Sequence, residues 1–122
     1  MRAALGCLAL LAVLLGGAFF YSAQMARTAE NFAEHTAALA NSSADERKDM
    51  IDQLEEEWKQ KELWFSLSVP HSELDRVETE FVHVASAAEA KDGGKFQLAV
   101  ALLSAAFEHI GKLYEASLDN IL

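Results

Sequence analysis

The chain has 122 residues, enough for one domain, and its 19 acidic residues outnumber the 10 basic ones to give a net charge of −9. This excess argues against nucleic-acid binding, which needs basic side chains to neutralise phosphates, so we expect no nucleic acid among the partners. The same charge disfavours docking on anionic lipid. Cys7 is the single cysteine, which excludes an intrachain disulfide and a metal site built from cysteines.

The chain opens with an uncharged run from Ala3 to Tyr21, 19 residues long. As an α-helix this run spans about 28 Å, close to the ~30 Å hydrocarbon core of a bilayer. A cleaved signal peptide is the alternative, and Gly16-Gly17-Ala18 fits the small residues of a cleavage site. Cutting there would leave three aromatic residues at the new N-terminus. We therefore favour an uncleaved anchor over residues 1–23, which crosses the lipid bilayer through residues 3–21.

The charges that flank the run predict its orientation. Arg2 precedes the run, whereas the strongly acidic remainder of the chain follows it, with Arg27 as the first cation on that side. By the positive-inside rule we predict a single-pass protein of the cytoplasmic membrane, with its N-terminus inside and its C-terminal domain outside. Phe19, Phe20 and Tyr21 would then lie at the outer interface, where aromatic side chains are enriched.

Residues 24–122 show apolar side chains at helical spacing in four segments. The first continues the anchor with Met25, Ala29, Phe32, Thr36 and Leu39 on one face. The second runs from about Ala44 to Phe65, with an inner face of Met50 or Ile51, then Leu54, Trp58 and Phe65. Its other face is densely charged and is typical of a solvated surface. Ser43, with Glu46 three residues on, is the predicted N-cap of this helix.

The third helix is predicted from Glu73 to about Ala90, with Leu74, Val77, Phe81, Val84 and Ala88 on one seam. The fourth starts near Lys95 and runs to about Ser117, with an apolar stripe of Phe96, Val100, Leu103, Phe107, Ile110 and Tyr114. The stripe is widened by Leu98, Ala99, Leu102, Ala105, Ala106 and Leu113. So broad a face predicts a helix that packs on two sides, at the centre of a bundle. The tail, residues 117–122, ends on two aliphatic residues and is expected to dock on the bundle.

Turn signals separate these helices. Pro70 ends the second helix, because it lacks a backbone N–H and disfavours the α conformation of the residue before it. Ser72, with Asp75 three residues on, is the predicted N-cap of the third helix. Gly93-Gly94 is expected to end that helix in the left-handed conformation. The predicted fold class is all-α, an N-terminal transmembrane helix that continues into an antiparallel bundle of three or four helices, with residues 24–122 as an acidic helical domain.

Residues that could carry chemistry are few. Glu80 and His83 form a single E-x-x-H, whereas di-metal carboxylate bundles need two such motifs and two further glutamates. His71 and Asp75 flank Ser72, but no glycine loop for an oxyanion accompanies them. The chain also lacks a phosphate loop and a dinucleotide fingerprint. We predict no catalytic, cofactor-binding or metal-binding residues and hence no enzyme.

The corner between the second and third helices is the strongest candidate for a binding site. We predict a partner-binding or ligand-binding patch there, formed by Trp58, Trp64, Phe65, Val69 and His71. The simpler alternative is that these side chains are buried and fix the angle between the two helices. With an anchor and no catalytic set, we expect a membrane-anchored extracytoplasmic interaction or scaffold protein that binds a membrane or envelope protein. A small-ligand-binding or sensor domain with a pocket at the corner aromatics is the alternative.

A family resemblance supports the same architecture. Trp58 lies in an acidic helix, the segment His71-Ser72-Glu73-Leu74-Asp75 opens the next one, and Leu118-Asp119-Asn120-Ile121-Leu122 forms the C-terminus. In this order and spacing the chain resembles a bacterial family known as a domain of unknown function, over most of its length after the anchor. The resemblance implies a small single-pass membrane protein with an acidic helical bundle. It implies no activity, ligand or partner.

Overall fold

A computed structural model describes residues 1–121 of the chain. Within that range the structure is all-α, with no strand, and the predicted fold class is confirmed. The helices are α1 (Arg2–Ala38), α2 (Ala44–Ser66), α3 (His71–Glu89) and α4 (Gly93–Ile121), with a single 3₁₀ turn (Leu39–Asn41) between α1 and α2. Helical periodicity predicted α1, α2 and α3 to within two residues at each end, whereas α4 extends four residues beyond the expected Ser117.

The helices form an antiparallel bundle in which α4 packs between α1 and α3. Hydrogen bonds show the direction: Ser104 Oγ donates to the Ala33 carbonyl at 3.0 Å, and Gln97 Nε2 donates to the Ala40 carbonyl at 2.9 Å. Gly111 faces α1, and a Cβ atom in its place would lie at an ordinary contact distance of 3.6 Å from the Ala29 Cβ. The central position predicted for the fourth helix is thus confirmed.

Aromatic rings from three helices form the centre of the core. The Phe32 ring stacks on the Phe107 ring at 5.2 Å and meets the Trp58 ring edge-on at 5.7 Å, while Trp58 stacks on Phe65 at 5.2 Å. Such pairs add to the stabilisation that each ring contributes by burying a large apolar area. The predicted inner faces of α1, α2 and α3 are confirmed, with Ile51 as the buried alternative to Met50, except that Ala87 rather than Ala88 is buried.

Two predicted helix caps are wrong. Helix α3 begins at His71 with Pro70 at the N-cap position, so Ser72 lies inside the first turn. At the other end of α3, Lys91 rather than a glycine adopts the left-handed conformation, with φ of 55°. Its N–H and that of Asp92 bond back to the Ala88 and Ala87 carbonyls, which is the Schellman arrangement.

The glycines that follow belong to the next helix. Gly93 and Gly94 form the first turn of α4, and the Lys95 N–H donates to the Asp92 carboxylate at 3.0 Å, which makes Asp92 its N-cap. Ser43 occupies the predicted N-cap position of α2, although its hydroxyl makes no capping hydrogen bond.

Helix α1 has two halves with opposite surroundings. Residues 1–20 are all exposed, whereas burial against the other helices starts at Tyr21 and Ser22 and continues to the end of the helix. Within residues 1–121, α1 is the one helix long and apolar enough to cross a membrane. The side chains of Ile121 and Leu122, for which docking on the bundle was predicted, lie outside the described part of the chain.

Candidate functional site

The five residues of the predicted corner patch do not share one surface. Trp58 is 2% exposed, and Phe65 and Val69 are also buried in the core. Trp64 is 53% exposed, and His71 is exposed at the start of α3. The patch is therefore divided between the interior and the outside of the α2–α3 corner.

Two leucines that are not part of the predicted patch accompany Trp64 on the outside. Leu63 and Leu67 are 69% and 67% exposed, and together with Trp64 they form a surface that we call the corner patch. The helical spacing of the sequence contains the signal that separates these exposed positions from the buried ones. Phe65 lies seven residues after Trp58, almost two full turns, so both face the core, and the positions on either side of Phe65 point elsewhere.

Hydrogen bonds join the α2–α3 corner to α1 and α4. The Tyr21 hydroxyl donates to the Trp64 carbonyl at 2.5 Å and lies 3.0 Å from Ser68 Oγ. Ser68 Oγ in turn lies 2.6 Å from the Tyr114 hydroxyl, and the two tyrosine rings meet edge-on at 6.3 Å. The corner, the C-terminal part of α4 and the point where the exposed half of α1 leaves the bundle thus lie at the same end of the molecule, which we call the proximal end.

Burial affects the chemistry of this hydrogen-bonded group. Loss of solvent raises the pKa of Tyr114 to about 12, with the bond to Ser68 acting in the opposite direction. The phenol therefore keeps its proton at neutral pH and serves as a neutral donor or acceptor. This role is structural, since the bond to Ser68 gives the hydroxyl of the buried Tyr114 a partner.

A groove of about 390 Å³ runs between α3 and α4, and we call it the α3–α4 groove. Its lining is mostly apolar, with Ala87, Ala90, Leu98 and Leu102 along it and His83 at its edge. The predicted burial of Leu98 and Leu102 in a widened stripe is wrong. These side chains are 60% and 45% exposed, and Ala105 and Leu113 of the same predicted stripe are exposed as well.

A second groove, of about 380 Å³, lies between α2 and α3. Trp58 and Phe81 contribute to its lining, and its charged residues are Glu55, Lys59, Glu62, Glu78 and Glu89. Within residues 1–121, Trp58 Nε1 is buried and has no hydrogen-bond partner. Shared hydrogen bonding with Glu78, followed by burial, raises the pKa of Glu62, so two carboxyl groups lie close together across this groove.

The histidines lie apart from one another. His83 Nδ1 is 3.4 Å from the Glu80 carboxylate within α3, and His109 Nε2 is 3.4 Å from the Glu73 carboxylate between α4 and α3. Both imidazoles are partly exposed. In the part of the chain that the structure describes, no three His, Cys, Asp or Glu side chains come together to hold a metal ion.

Fold and surface together define a class: an antiparallel four-helix bundle whose first helix extends beyond the bundle as an apolar, exposed segment. The model of a family described as a domain of unknown function, DUF4363, matches residues 19–121. The chain belongs to this family, which confirms the resemblance to a domain of unknown function. Comparison with curated proteins and with solved structures finds no match.

Proposed function

We propose that the protein is a single-pass membrane protein whose helical bundle serves as an interaction module at the outer face of the cytoplasmic membrane. One observation carries the proposal. Helix α1 is continuous from Arg2 to Ala38, yet residues 1–20 are exposed and apolar while its second half is core. A bare apolar helix of this length is costly in water and is accommodated by a bilayer, since its backbone hydrogen bonds are satisfied within the helix.

The proposed orientation has the N-terminus in the cytoplasm and the bundle outside. Arg2 at the N-terminal end of the span supports it by the positive-inside rule. Protease treatment of intact cells that carry an epitope after Leu122 tests this orientation. The epitope should be lost from intact cells, and its survival until the membrane is permeabilised would reverse the orientation.

The proposed partner is another membrane or envelope protein, which presents an amphipathic helix to the α3–α4 groove. Two parallel ridges of apolar side chains with a polar rim are the usual receptor for such a helix. Leu98 and Leu102 are one turn apart and both exposed, so they are placed to contact apolar residues at matching spacing. In this role the protein positions a partner and performs no catalysis.

Site-directed photocrosslinking in intact cells tests the partner. A crosslinker at Leu98 should give an adduct with one membrane protein, and Leu102→Asp should abolish that adduct. The same crosslinker at Glu56, on the exposed face of α2, is the matched control and should give no such adduct. Recovery of the uncrosslinked monomer alone from the Leu98 position would contradict the proposal.

A second candidate function is the binding of a small ligand in the groove between α2 and α3. The buried, unpaired Trp58 Nε1 favours it, because an unused donor in a concave site can be satisfied by a ligand acceptor. Four glutamates around the groove would select a cationic molecule. Trp64→Phe leaves Trp58 as the only tryptophan, so its emission can be titrated with metabolites that carry both a cationic group and a hydrogen-bond acceptor. An emission unchanged across the panel would exclude this function.

A further inference from the structure

We propose that the corner patch lies in the interfacial layer of the same bilayer that α1 crosses, so that the bundle is attached to the membrane at two points. The inference rests on the proposed function in one respect, the insertion of α1. It adds a second lipid contact made by Leu63, Trp64 and Leu67, which fixes how the bundle stands on the membrane.

The hydrogen bond between the corner and α1 sets the depth of the corner relative to the bilayer. Tyr21 closes the apolar run, and its hydroxyl donates to the Trp64 carbonyl at 2.5 Å. If the run fills the hydrocarbon core, its last residue lies at the boundary with the headgroups, since ~19 helical residues match the thickness of that core. Trp64 is therefore held at the height of the headgroups.

The chemistry of the corner fits this layer. Residues 63–70 contain no charged side chain, although 24% of the residues in the whole chain are charged. The three members of the corner patch are exposed to more than half of their area in the isolated chain. Tryptophan prefers the interfacial layer, where its ring contacts acyl chains and its N–H remains near polar groups, and leucine gains from any removal from water.

The position of the corner patch at one end of the bundle also supports contact with the bilayer. The corner lies at the end of the bundle from which the apolar half of α1 projects, and Phe19 and Phe20 precede Tyr21 on that same helix. These two rings are also exposed in the isolated chain. Apolar side chains are thus exposed both at the end of the span and at the corner, and a bilayer that receives the span would cover both.

Two contacts with the membrane, made by α1 and by the corner patch, restrict the tilt and rotation of the bundle that an anchor of one helix would allow. An anchor formed by α1 alone leaves the bundle free to tilt about Tyr21, whereas a second contact fixes both tilt and rotation. The α3–α4 groove includes Leu98, close to the Gln97–Ala40 bond at the other end of the bundle. That part of the groove would be held away from the membrane, at about the length of the bundle half of α1, ~28 Å for 19 residues.

Quenching by brominated lipid tests the inference on the full chain. The protein is reconstituted in phosphatidylcholine vesicles whose acyl chains carry bromine near the headgroup, a quencher that acts only at short range. Wild type should lose about half of its tryptophan emission, because Trp64 is one of two tryptophans and lies in the interface. Trp64→Phe is the matched control and should lose little, since Trp58 is buried beside Phe32, 11 residues further along α1 than Tyr21.

A separate measurement shows whether α1 is inserted in the bilayer. Cys7 is the single cysteine, so an environment-sensitive fluorophore attached there shows whether α1 is in lipid. If the Cys7 fluorophore is quenched by bilayer bromine and Trp64 is not, the second contact is excluded while the anchor stands. If neither is quenched, both the anchor and the second contact are excluded.

The emission wavelength of Trp64 shows whether lipid or protein covers the corner patch. Leu63→Ser together with Leu67→Ser should weaken the quenching of Trp64 and shift its emission to longer wavelength, with Cys7 unaffected. A short-wavelength emission that bromine does not quench would show that a second copy of the chain covers the corner patch, and would overturn the inference.

Discussion

The two ends of the bundle close in different ways. At the proximal end, hydroxyl groups of Tyr21, Ser68 and Tyr114 join α1 to the α2–α3 corner and to α4, and apolar side chains remain exposed beside them. The opposite, distal end holds the α1–α2 and α3–α4 turns, which are closed by backbone bonds and by charged side chains. There the Asp92 carboxylate caps α4, and the Arg47 guanidinium lies 4.1 Å from the centre of the Phe96 ring.

This difference is what the proposed membrane attachment requires, in which the proximal end faces lipid and the distal end faces water. The distal end presents charged groups that water solvates, whereas the α2–α3 corner at the proximal end leaves apolar side chains bare and joins its hydroxyl groups to neighbouring helices. The comparison gives four expectations about stability. Each is measured by denaturant unfolding of the full chain in a mild non-ionic detergent.

The largest difference in the loss of unfolding free energy is expected between substitutions of the two tryptophans. Trp58→Ala removes a ring from the centre of the core and should lower the free energy of unfolding by ~3–5 kcal/mol. Trp64→Ala removes an exposed ring of the corner patch and should cost less than about 1 kcal/mol, because its contacts are made outside the protein core. A Trp64 loss as large as that of Trp58 would show that the corner patch is part of the protein core and would remove the contrast between the two ends.

The hydroxyl bonds of the proximal end come next. Tyr21→Phe keeps the ring but removes the donor to the Trp64 carbonyl, and should cost about 0.5–1.5 kcal/mol. Thr28→Val is a control on α1, since the Thr28 hydroxyl bonds only to the Gln24 carbonyl of its own helix. That change should have a smaller effect than Tyr21→Phe. Equal effects would mean that the Tyr21 bond does not couple α1 to the corner.

At the distal end a single substitution should increase stability. Lys91 holds a left-handed conformation that an L-residue adopts at a cost of roughly 1–2 kcal/mol, and glycine adopts it without strain. After allowance for the greater chain entropy of glycine, Lys91→Gly should stabilise the bundle by ~0.5–1 kcal/mol. Lys91→Ala removes the same charge but keeps the Cβ atom, and should give no gain. A gain from alanine as well would trace the effect to charge.

These elements differ in how far the sequence predicts them. Phe96, Val100, Leu103 and Phe107 recur at the helical period, and burial of one helix face requires that period, so the core stripes could be read directly. The start of α3 could not be predicted from periodicity. A side-chain cap at Ser72 competed with Pro70, whose fixed φ suits the position just before a helix, and the proline determined the boundary.

The site was harder to predict than the fold. The bonds among Tyr21, Ser68 and Tyr114 join residues 46 and 47 positions apart, and no local pattern marks them. Trp58 and Trp64 are both aromatic and near the corner, and on that ground the sequence predicts both in one patch. The position of Trp64 next to Phe65, rather than a multiple of a turn away, places it on the other side of the helix, and composition alone does not reveal this.

The smallest expected effect concerns charge near the proximal end. The bond to Glu78 and then burial raise the pKa of Glu62 above its ordinary value. A carboxyl whose pKa is raised by folding contributes stability in acid, and this contribution is lost as pH rises through the folded-state pKa. Glu62→Gln should therefore stabilise the bundle at neutral pH by at most about 0.5 kcal/mol, because the pair is largely exposed. The gain should vanish in acid, where both carboxyls are protonated.

Glu56→Gln controls for the loss of one negative charge from α2, since Glu56 is exposed on that helix. If the two variants show the same pH dependence, general repulsion within an acidic chain explains the effect and the Glu62–Glu78 pair has no role of its own. A pH-dependent gain confined to Glu62→Gln would show that the α2–α3 contact is weakened at neutral pH. The hydroxyl bonds around Tyr21 would then hold the corner in place against a local repulsion that the distal end does not have to balance.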